Sequence, residues 1–402
     1  MGQPGKTGGG HCMVVHAYYP LLETRVEREA LALIDQGIEV DVICLRREDE
    51  EPTSIADGVR VHRLPVQRHR GSGMLMYLLE YLAFLVLAFL RLTRLHLRRH
   101  YDVVQVHNLP DFLVFAALVP KLTGAKVILD LHDLMPEFYA ERFQRPMTSW
   151  PVRLICWEER MSCHFADHII TVTKLWRRSL VKRGQPKDKV TVVMNVADDR
   201  AFHRDVAPIE RKNWQGLSMI YHGIMGPRHG LDLLLEAMRR LQDRIPDLHL
   251  TLHGGGEYRP VLEDMVGAWG LADHVHFSRD FVPTEQLARL VKAADLGVVP
   301  YRDGVFIGEI LPTKLMEYAA LGIPAIAART PTIGEYFDDT MVEFFTPDDV
   351  DELADCILRL YRDQSRLESL GRGISTFTDR YNWSSQSSMY VRLVRQLMEK
   401  EA

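Results

Sequence analysis

The 402-residue sequence holds only five cysteines, Cys12, Cys44, Cys156, Cys163 and Cys356, with no Cys-x-x-Cys pair among them. So scattered and odd a set excludes a disulfide framework and reads as reduced thiols of a cytoplasmic protein. An excess of one charge is also missing. The 49 Lys and Arg against 54 Asp and Glu leave a net charge of −5, which gives no general attraction to phosphate backbones, and no nucleic-acid partner is expected. Residues 1–10 contain no apolar run that could serve as a leader and are expected to form a flexible tail. No Gly-x-Ser-x-Gly elbow occurs, which removes support for a serine hydrolase of that type. His164 and His168 lie beside Cys163 without a second ligand cluster, so no metal site is expected.

What is present is an ordinary globular composition, 47% hydrophobic and 26% charged, in a chain too long for one core. Short apolar runs alternate with segments of helical period, the pattern of an α/β protein with parallel sheets. Strands are expected near 12–16, 38–45, 59–64, 102–107, 125–131, 168–173 and 190–194. After a polar stretch at 196–216 the rhythm restarts, with strands near 217–222, 248–253, 274–278, 295–299 and 323–328 and helices at 231–244 and 284–294. Thr24 and Glu27 form a capping-box signature, and Gly37 marks the end of that helix. In open α/β sheets ligands sit beyond the carboxyl ends of the strands, and with two sheets the cleft between them is the expected site.

From Met74 to Leu90 only Glu80 is neither apolar nor aromatic, and arginines flank the run. It is too short to span a bilayer comfortably. Two readings stand beside each other: a buried crossover helix, or a helix whose 74–99 surface lies on anionic headgroups of the inner face of the cytoplasmic membrane.

The richest segment is Phe306-Ile-Gly-Glu309-Ile-Leu-Pro-Thr-Lys-Leu-Met-Glu317-Tyr-Ala-Ala-Leu-Gly322. One carboxylate precedes a helix opened at Pro312 or Thr313 and the other lies about a turn inside it. A helix N-terminus there favours a bound phosphate, and a sugar nucleotide suits the arrangement.

This segment resembles the E-x7-E signature of retaining glycosyltransferases, and LPTKLMEYAALGIPAIA is similar to glycosyltransferase family 4. Asp102-Val-Val-Gln-Val-His107, Ala166-Asp-His-Ile-Ile-Thr-Val-Thr173, Asn195-Val-Ala-Asp198 and Gly254-Gly-Gly256 follow in that family's order. The resemblance implies a GT-B fold, two Rossmann-like domains facing each other across a cleft. An acceptor domain is expected at 11–200, a nucleotide-sugar domain at 212–375, and a helix crossing back to the first domain at 376–402. It also implies transfer of a sugar, with retention, from a nucleoside diphosphate donor, UDP favoured, to an acceptor hydroxyl; the apolar, arginine-flanked segment at 74–99 suggests a glycan or lipid-linked acceptor, in surface polysaccharide or glycolipid synthesis. No metal or other cofactor is required.

By that resemblance Glu309 and His132 serve the reaction centre and Glu317 holds the ribose. Gly223, Gly254, Gly256, Lys314 and the backbone N–H groups of Ile310 and Leu311 belong to the donor site. His107, Asp111 and Asp133 belong to the acceptor side, although Asp111 could equally cap the next helix. Two departures stand out. Where the family places an Arg and a Lys on the diphosphate, this chain has Ile224 and His229, with Arg228 as a neighbouring source of charge. A cationic His229 would make donor affinity fall above neutral pH. Where the family has a double glycine, this chain has Glu23-Thr24-Arg25-Val26, so Arg25 is a candidate for acceptor or phosphate contact, or an exposed first-turn arginine. The rival readings are a sugar-nucleotide epimerase on the same fold and a membrane-associated scaffold without activity.

Overall fold

The computed structural model describes residues 9–20, 23–68, 74–209, 216–278 and 282–399; the tail expected over 1–10 lies almost wholly outside them. The chain forms two compact units, the first made of residues up to Asn195 together with Ser384 onward, the second of Val196–Trp383.

In the first unit, β1 (Gly10–Val14), β2 (Glu39–Leu45), β3 (Thr53–Ala56), β4 (Val59–Leu64), β5 (Val103–His107), β6 (Lys126–Leu131), β7 (His168–Thr171) and β8 (Val190–Val192) form one sheet in the order β3-β4-β2-β1-β5-β6-β7-β8. Every pairing is parallel except β3 with β4. That hairpin was not anticipated, although Asp57 and Gly58 both take positive φ, at 49° and 83°, as a two-residue turn between twisted strands requires. In the second unit, β9 (Ser218–His222), β10 (His249–His253), β11 (Val275–Ser278), β12 (Leu296–Val299), β13 (Ala325–Ala328) and β14 (Glu343–Phe345) form an all-parallel sheet ordered β11-β10-β9-β12-β13-β14. The strand order reverses at β1/β5 and at β9/β12, and those are the places where loops diverge to leave a ligand crevice.

The first helix, Thr24–Ile34, ends as expected: Gly37 takes φ 76° and Ile38 N–H returns to Leu33 O at 3.1 Å. Its start differs. Glu23 is the cap residue and Thr24 already lies inside the helix, so the capping box does not form. The helix Trp383–Met398 packs Tyr390, Val391 and Val394 onto the same core face as Met13, Val26 and Leu33. Tyr390 donates to Gln105 at 2.7 Å and Met194 N–H to Gln386 at 2.8 Å. The return begins at Ser384 and not at 376, because the ring of Phe377 stacks on Phe337 at 4.6 Å within the second unit. Residues 196–209 are likewise no linker; Val196, Ala201 and Phe202 are buried in that unit.

The helix Met74–Arg99 is two-faced. Phe84, Ala88 and Leu92 are buried, while Leu82, Val86 and Leu90 are exposed. It is long and apolar enough to cross a membrane, yet one face packs on β2, β4 and the 3-10 helix Asp111–Ala117, which ties it to the first unit.

Beneath this layer lies a carboxylate cluster. Glu159 pairs with Arg183 at 2.8 Å, Glu158 accepts from Ser162 at 2.8 Å, and Asp111 accepts from Asn108 at 2.9 Å. Burial pushes Glu159 up to about 8 and raises Asp111 and Glu158 as well. Carboxyls held above their unfolded pKa bind protons preferentially in the folded state. Their cost therefore sets in as pH rises past the unfolded value of about 4.3 and is complete only above the folded one. Glu158→Gln keeps an acceptor for Ser162 and removes a charge. It should raise the free energy of unfolding by about 1–2 kcal/mol at pH 8.5 and by almost nothing at pH 4, measured as the difference from the parent in denaturant melts; equal effects at both pH values would contradict the burial argument.

Candidate active site

In the first unit the carboxyl edges of β1, β5 and β6 carry the residues singled out by sequence. Arg25 is neither exposed nor aimed at a ligand. It is buried, and its Nε and Nη2 donate to Asp130 at 2.9 and 3.1 Å, its Nη1 to Val193 O at 3.1 Å, while Glu29 lies 3.1 Å away. His107 is buried too, its Nδ1 3.0 Å from the same Asp130. Both residues shape the site from behind, and this corrects their assignment to acceptor contact. Asp111 is buried on Asn108 and does not cap the helix it opens.

Asn108 draws these loops together: its Nδ2 also donates to Asp133 O at 2.5 Å, and its Oδ1 accepts from His132 N–H at 3.1 Å. Asn108 is not among the residues that the family resemblance marks; its place directly after a strand at the switch point is the signal for it. His132 remains at the half-exposed edge. Burial, together with the charge of Arg25, lowers its pKa to about 4 in spite of Asp130, so it meets a substrate as a neutral imidazole. His107, Asp130 and His132 hold potential metal-ligand atoms within 4.8 Å of one another. The Arg25 guanidinium already occupies both Asp130 oxygens, so a metal would be placed against a fixed positive charge, and the donor set fits one poorly.

In the second unit the loops after β9, β10 and β12 close on one another. A β-carbon on Gly254 would lie 2.2 Å from Gly223 O, and one on Gly256 2.2 Å from Met225 O; their φ values are 124° and 154°. Only glycine permits so close a backbone approach. Arg302 N–H donates to Arg228 O at 3.2 Å, and the Arg228 guanidinium lies 5.6 Å from the Phe306 ring centre. Ile310 N–H turns back to Ile307 O at 3.3 Å, closing the short 3-10 turn Ile307–Glu309, and is thus already engaged. Leu311 is buried beside it. The helix Thr313–Leu321 follows with Pro312 as its cap residue.

Lys314 stands at the centre of these loops. It is buried, donates to Tyr301 Oη at 2.8 Å, and sits 4.8 and 4.9 Å from the ring centres of Tyr221 and Tyr301. Burial alone would lower its pKa, but Tyr221, Tyr301 and Glu317 more than offset that, and the ammonium is held in its charged form. A β-carbon on Gly223 would be 3.8 Å from its Nζ, so a full cation underlies the loop that lacks the family's arginine. One turn on, Glu317 lies 3.2 Å from His222 at the carboxyl end of β9. His222 and the two tyrosines were not among the sequence candidates; Tyr221 and His222 stand at the end of a strand, where functional residues collect.

His229 does not carry the charge expected of it. It is buried, its Nδ1 accepts from Gly226 N–H at 3.1 Å, and burial with the nearby charges of Lys314 and Arg228 lowers its pKa to about 3. The expected loss of donor affinity above neutral pH is therefore withdrawn. Two surface cavities of about 480 and 440 Å³ also open on this unit. One lies at the amino ends of β12 and β13 and the other beside Phe377 and Trp383, and neither is lined by the loop residues above.

Residues 22–195 match the family described as Glycosyl transferase 4-like domain, and residues 217–363 the family Glycosyl transferases group 1. The chain belongs to the family 4, group 1 glycosyltransferases of the GT-B fold. The GDP-mannose-dependent alpha-(1-6)-phosphatidylinositol monomannoside mannosyltransferase of Mycolicibacterium smegmatis is 30% identical over 42% of this glycosyltransferase, a match spanning only 45% of that protein. Chitobiosyldiphosphodolichol beta-mannosyltransferase of Debaryomyces hansenii is 22% identical over 80% of the chain and 72% of its own length. Sucrose-phosphate synthase from Thermosynechococcus elongatus shares the fold with a TM-score of 0.78 at 19% identity, covering 97% of this chain and 99% of that one. Anabaena HepE in complex with UDP does so with 0.68 at 14%, covering 96% and 100%.

Arg25→Met leaves Asp130 buried without its principal partner, and should destabilise the first unit by about 3–5 kcal/mol; adding Asp130→Asn should recover part of that. Chemical denaturation of the parent, the single and the double variant measures both. In the second unit, neutral His229 predicts that affinity for an intact sugar nucleotide stays flat from pH 6 to 8.5, which isothermal titration at the two limits would test.

Proposed function

We propose that this glycosyltransferase moves a sugar from a nucleoside diphosphate sugar to a hydroxyl of a glycan or lipid-linked acceptor, with retention at the anomeric carbon. The observation that carries the donor assignment is Lys314, a buried cation beneath the Gly223 loop, one helical turn from Glu317. A diphosphate on that loop would gain from the ammonium and from Arg228, and Glu317 would accept from the ribose hydroxyls. Gly254 and Gly256 permit the backbone approach that closes the loop.

In the reaction proposed, the bond between the anomeric carbon and the phosphate oxygen breaks with its electron pair going to the diphosphate. The acceptor oxygen bonds to the same face and its proton passes to the leaving phosphate. Fixed positive charge assists departure, Glu309 and neutral His132 support the cation-like sugar, and no metal or other cofactor is needed. Asp133 lies on the acceptor side, while Arg25, His107 and Asp111 act as positioning residues behind it. Retention rests on the resemblance of Glu309 and Glu317 to the E-x7-E signature; the relatives' names include both an alpha- and a beta-mannosyltransferase. Their names, one with a phosphatidylinositol monomannoside and one with a diphosphodolichol, support a lipid-linked acceptor, which suits glycolipid or surface polysaccharide synthesis as the process. UDP is the first candidate nucleotide, on the UDP-bearing solved neighbour, with GDP the alternative from the mannosyltransferase. Five free cysteines suit the cytoplasm.

Titration with UDP, GDP and ADP tests the donor site. One nucleotide should bind in preference, with affinity lowered about tenfold or more by Glu317→Ala and by Lys314→Met. Lys314→Met should leave the affinity for the bare nucleoside unchanged, because its loss is confined to the phosphates. Failure of all three nucleotides to bind the native chain would overturn the assignment.

A further inference from the structure

The first unit carries a second feature that sugar transfer does not use. On the helix Met74–Arg99, Leu79, Leu82, Val86 and Leu90 recur at i, i+3, i+7 and i+11 and are all exposed. On the helix Trp150–Phe165, Trp150, Leu154, Trp157 and Met161 recur at i, i+4, i+7 and i+11 and are exposed as well, Trp150 at 77% and Trp157 at 60%. Both helices pack against the same short helix Asp111–Ala117, and right-handed crossovers from β4 to β5 and from β6 to β7 place them on the same side of the sheet. Leu122, 77% exposed, projects from the Leu118–Leu122 segment between them. An apolar surface of this extent on one layer marks an interaction face.

The charges say what covers it. The carboxylates of the two helices are turned away: Glu80 lies 3.0 Å from buried His16, Glu159 pairs with Arg183, and Glu158 accepts from Ser162. The charged side chains exposed on these helices are all basic, among them Arg94, Arg98, Arg153 and Arg160. Apolar rows edged by arginine, without a carboxylate, complement a bilayer whose headgroups are anionic, and exposed tryptophans favour the boundary between acyl chains and headgroups.

We propose that the outer faces of Met74–Arg99 and Trp150–Phe165, with Leu122 between them, form one surface on which the first unit rests in the plane of an anionic membrane. The helix Met74–Arg99 lies along the headgroup boundary and does not span, since its other face holds Phe84, Ala88 and Leu92 in the core. The two-helix surface stands whatever nucleotide the second unit takes.

The full chain is mixed with vesicles of phosphatidylcholine alone and of phosphatidylcholine with 30% phosphatidylglycerol, and binding is read by co-sedimentation and by tryptophan emission. Binding to the anionic vesicles should exceed that to the neutral ones at least tenfold, weaken with salt, and bring a blue shift. Trp150→Ser with Trp157→Ser, and separately Leu82→Glu with Val86→Glu, should each reduce it at least tenfold. All four side chains are exposed, so circular dichroism and nucleotide titration should match the native chain. This keeps loss of membrane binding distinct from loss of the donor site. Absence of binding to anionic vesicles, or variants that bind as the native chain does, would overturn the proposal. So would a native dimer that the tryptophan substitutions convert to monomer, since a second copy would then cover the face.

Discussion

The guanidinium of Arg25 is buried where water cannot solvate it, and among the described residues its charge is balanced by Asp130 and Glu29. That requirement organises the first unit. The helix carrying Arg25 must sit where its side chain can reach β6, Val193 O fixes the chain beyond β8, and Asp130, once held, orients His107. The unit's carboxyl-edge loops are then spanned by Asn108, which joins the loop after β5 to that after β6. His132 is placed at the edge by this scaffold, and burial, helped by the cation at its centre, keeps it neutral. A buried pair of this kind is weak evidence for stability in itself, but removing one partner strands the other. Its effect is therefore to make the arrangement of these loops difficult to alter piecemeal.

The second unit meets the same constraint with the opposite outcome. Lys314 is buried, but its partners are tyrosines and a carboxylate one turn away, not a tight ion pair. Ring faces and a phenol oxygen hold an ammonium without neutralising it, so its field extends toward the Gly223 loop. Where that loop has Ile224 and a neutral His229, a nearby cation comes from the helix of the E-x7-E segment. In the proposed donor site a diphosphate would thus meet positive charge from a different place in the chain.

Much of this was legible in the sequence because it depends on period or on local chemistry. Among the described residues the apolar runs marked twelve of the fourteen strands, the E-x7-E segment marked the loop and helix that carry Lys314 and Glu317, and Gly37 marked a helix end through the φ it adopts. The unread features each had a physical reason. The strand β3 is short and half exposed, so its apolar signal was weak, although Asp57-Gly58 announced the turn. The capping box failed because the chain enters the helix one residue early, with Glu23 at the cap, and a motif at the right spacing does not set its own register. Arg25, His107 and His229 were assigned to ligands since polar residues near a site tend to be; their burial is a property of neighbours far away in sequence, Asp130 and Lys314 among them.

The inward carboxylates connect stability with the surface of the first unit. Arg183 pairs with Glu159 and Glu137 and lends charge to Asp111, while Glu158 accepts from the hydroxyl of Ser162, and burial raises Asp111, Glu158 and Glu159 toward the neutral acid. Burying acids in this way costs stability at neutral pH and above, and packing alone would be served as well by apolar residues. Had Glu158 and Glu159 faced outward, the row from Trp150 to Met161 would have been interrupted by negative charge. A carboxylate lowered onto an anionic headgroup layer meets repulsion in addition to its desolvation, whereas an arginine there gains. The buried acid cluster and the basic, apolar exterior are thus two sides of the same helix, and the strain of the first is what keeps the second free of negative charge.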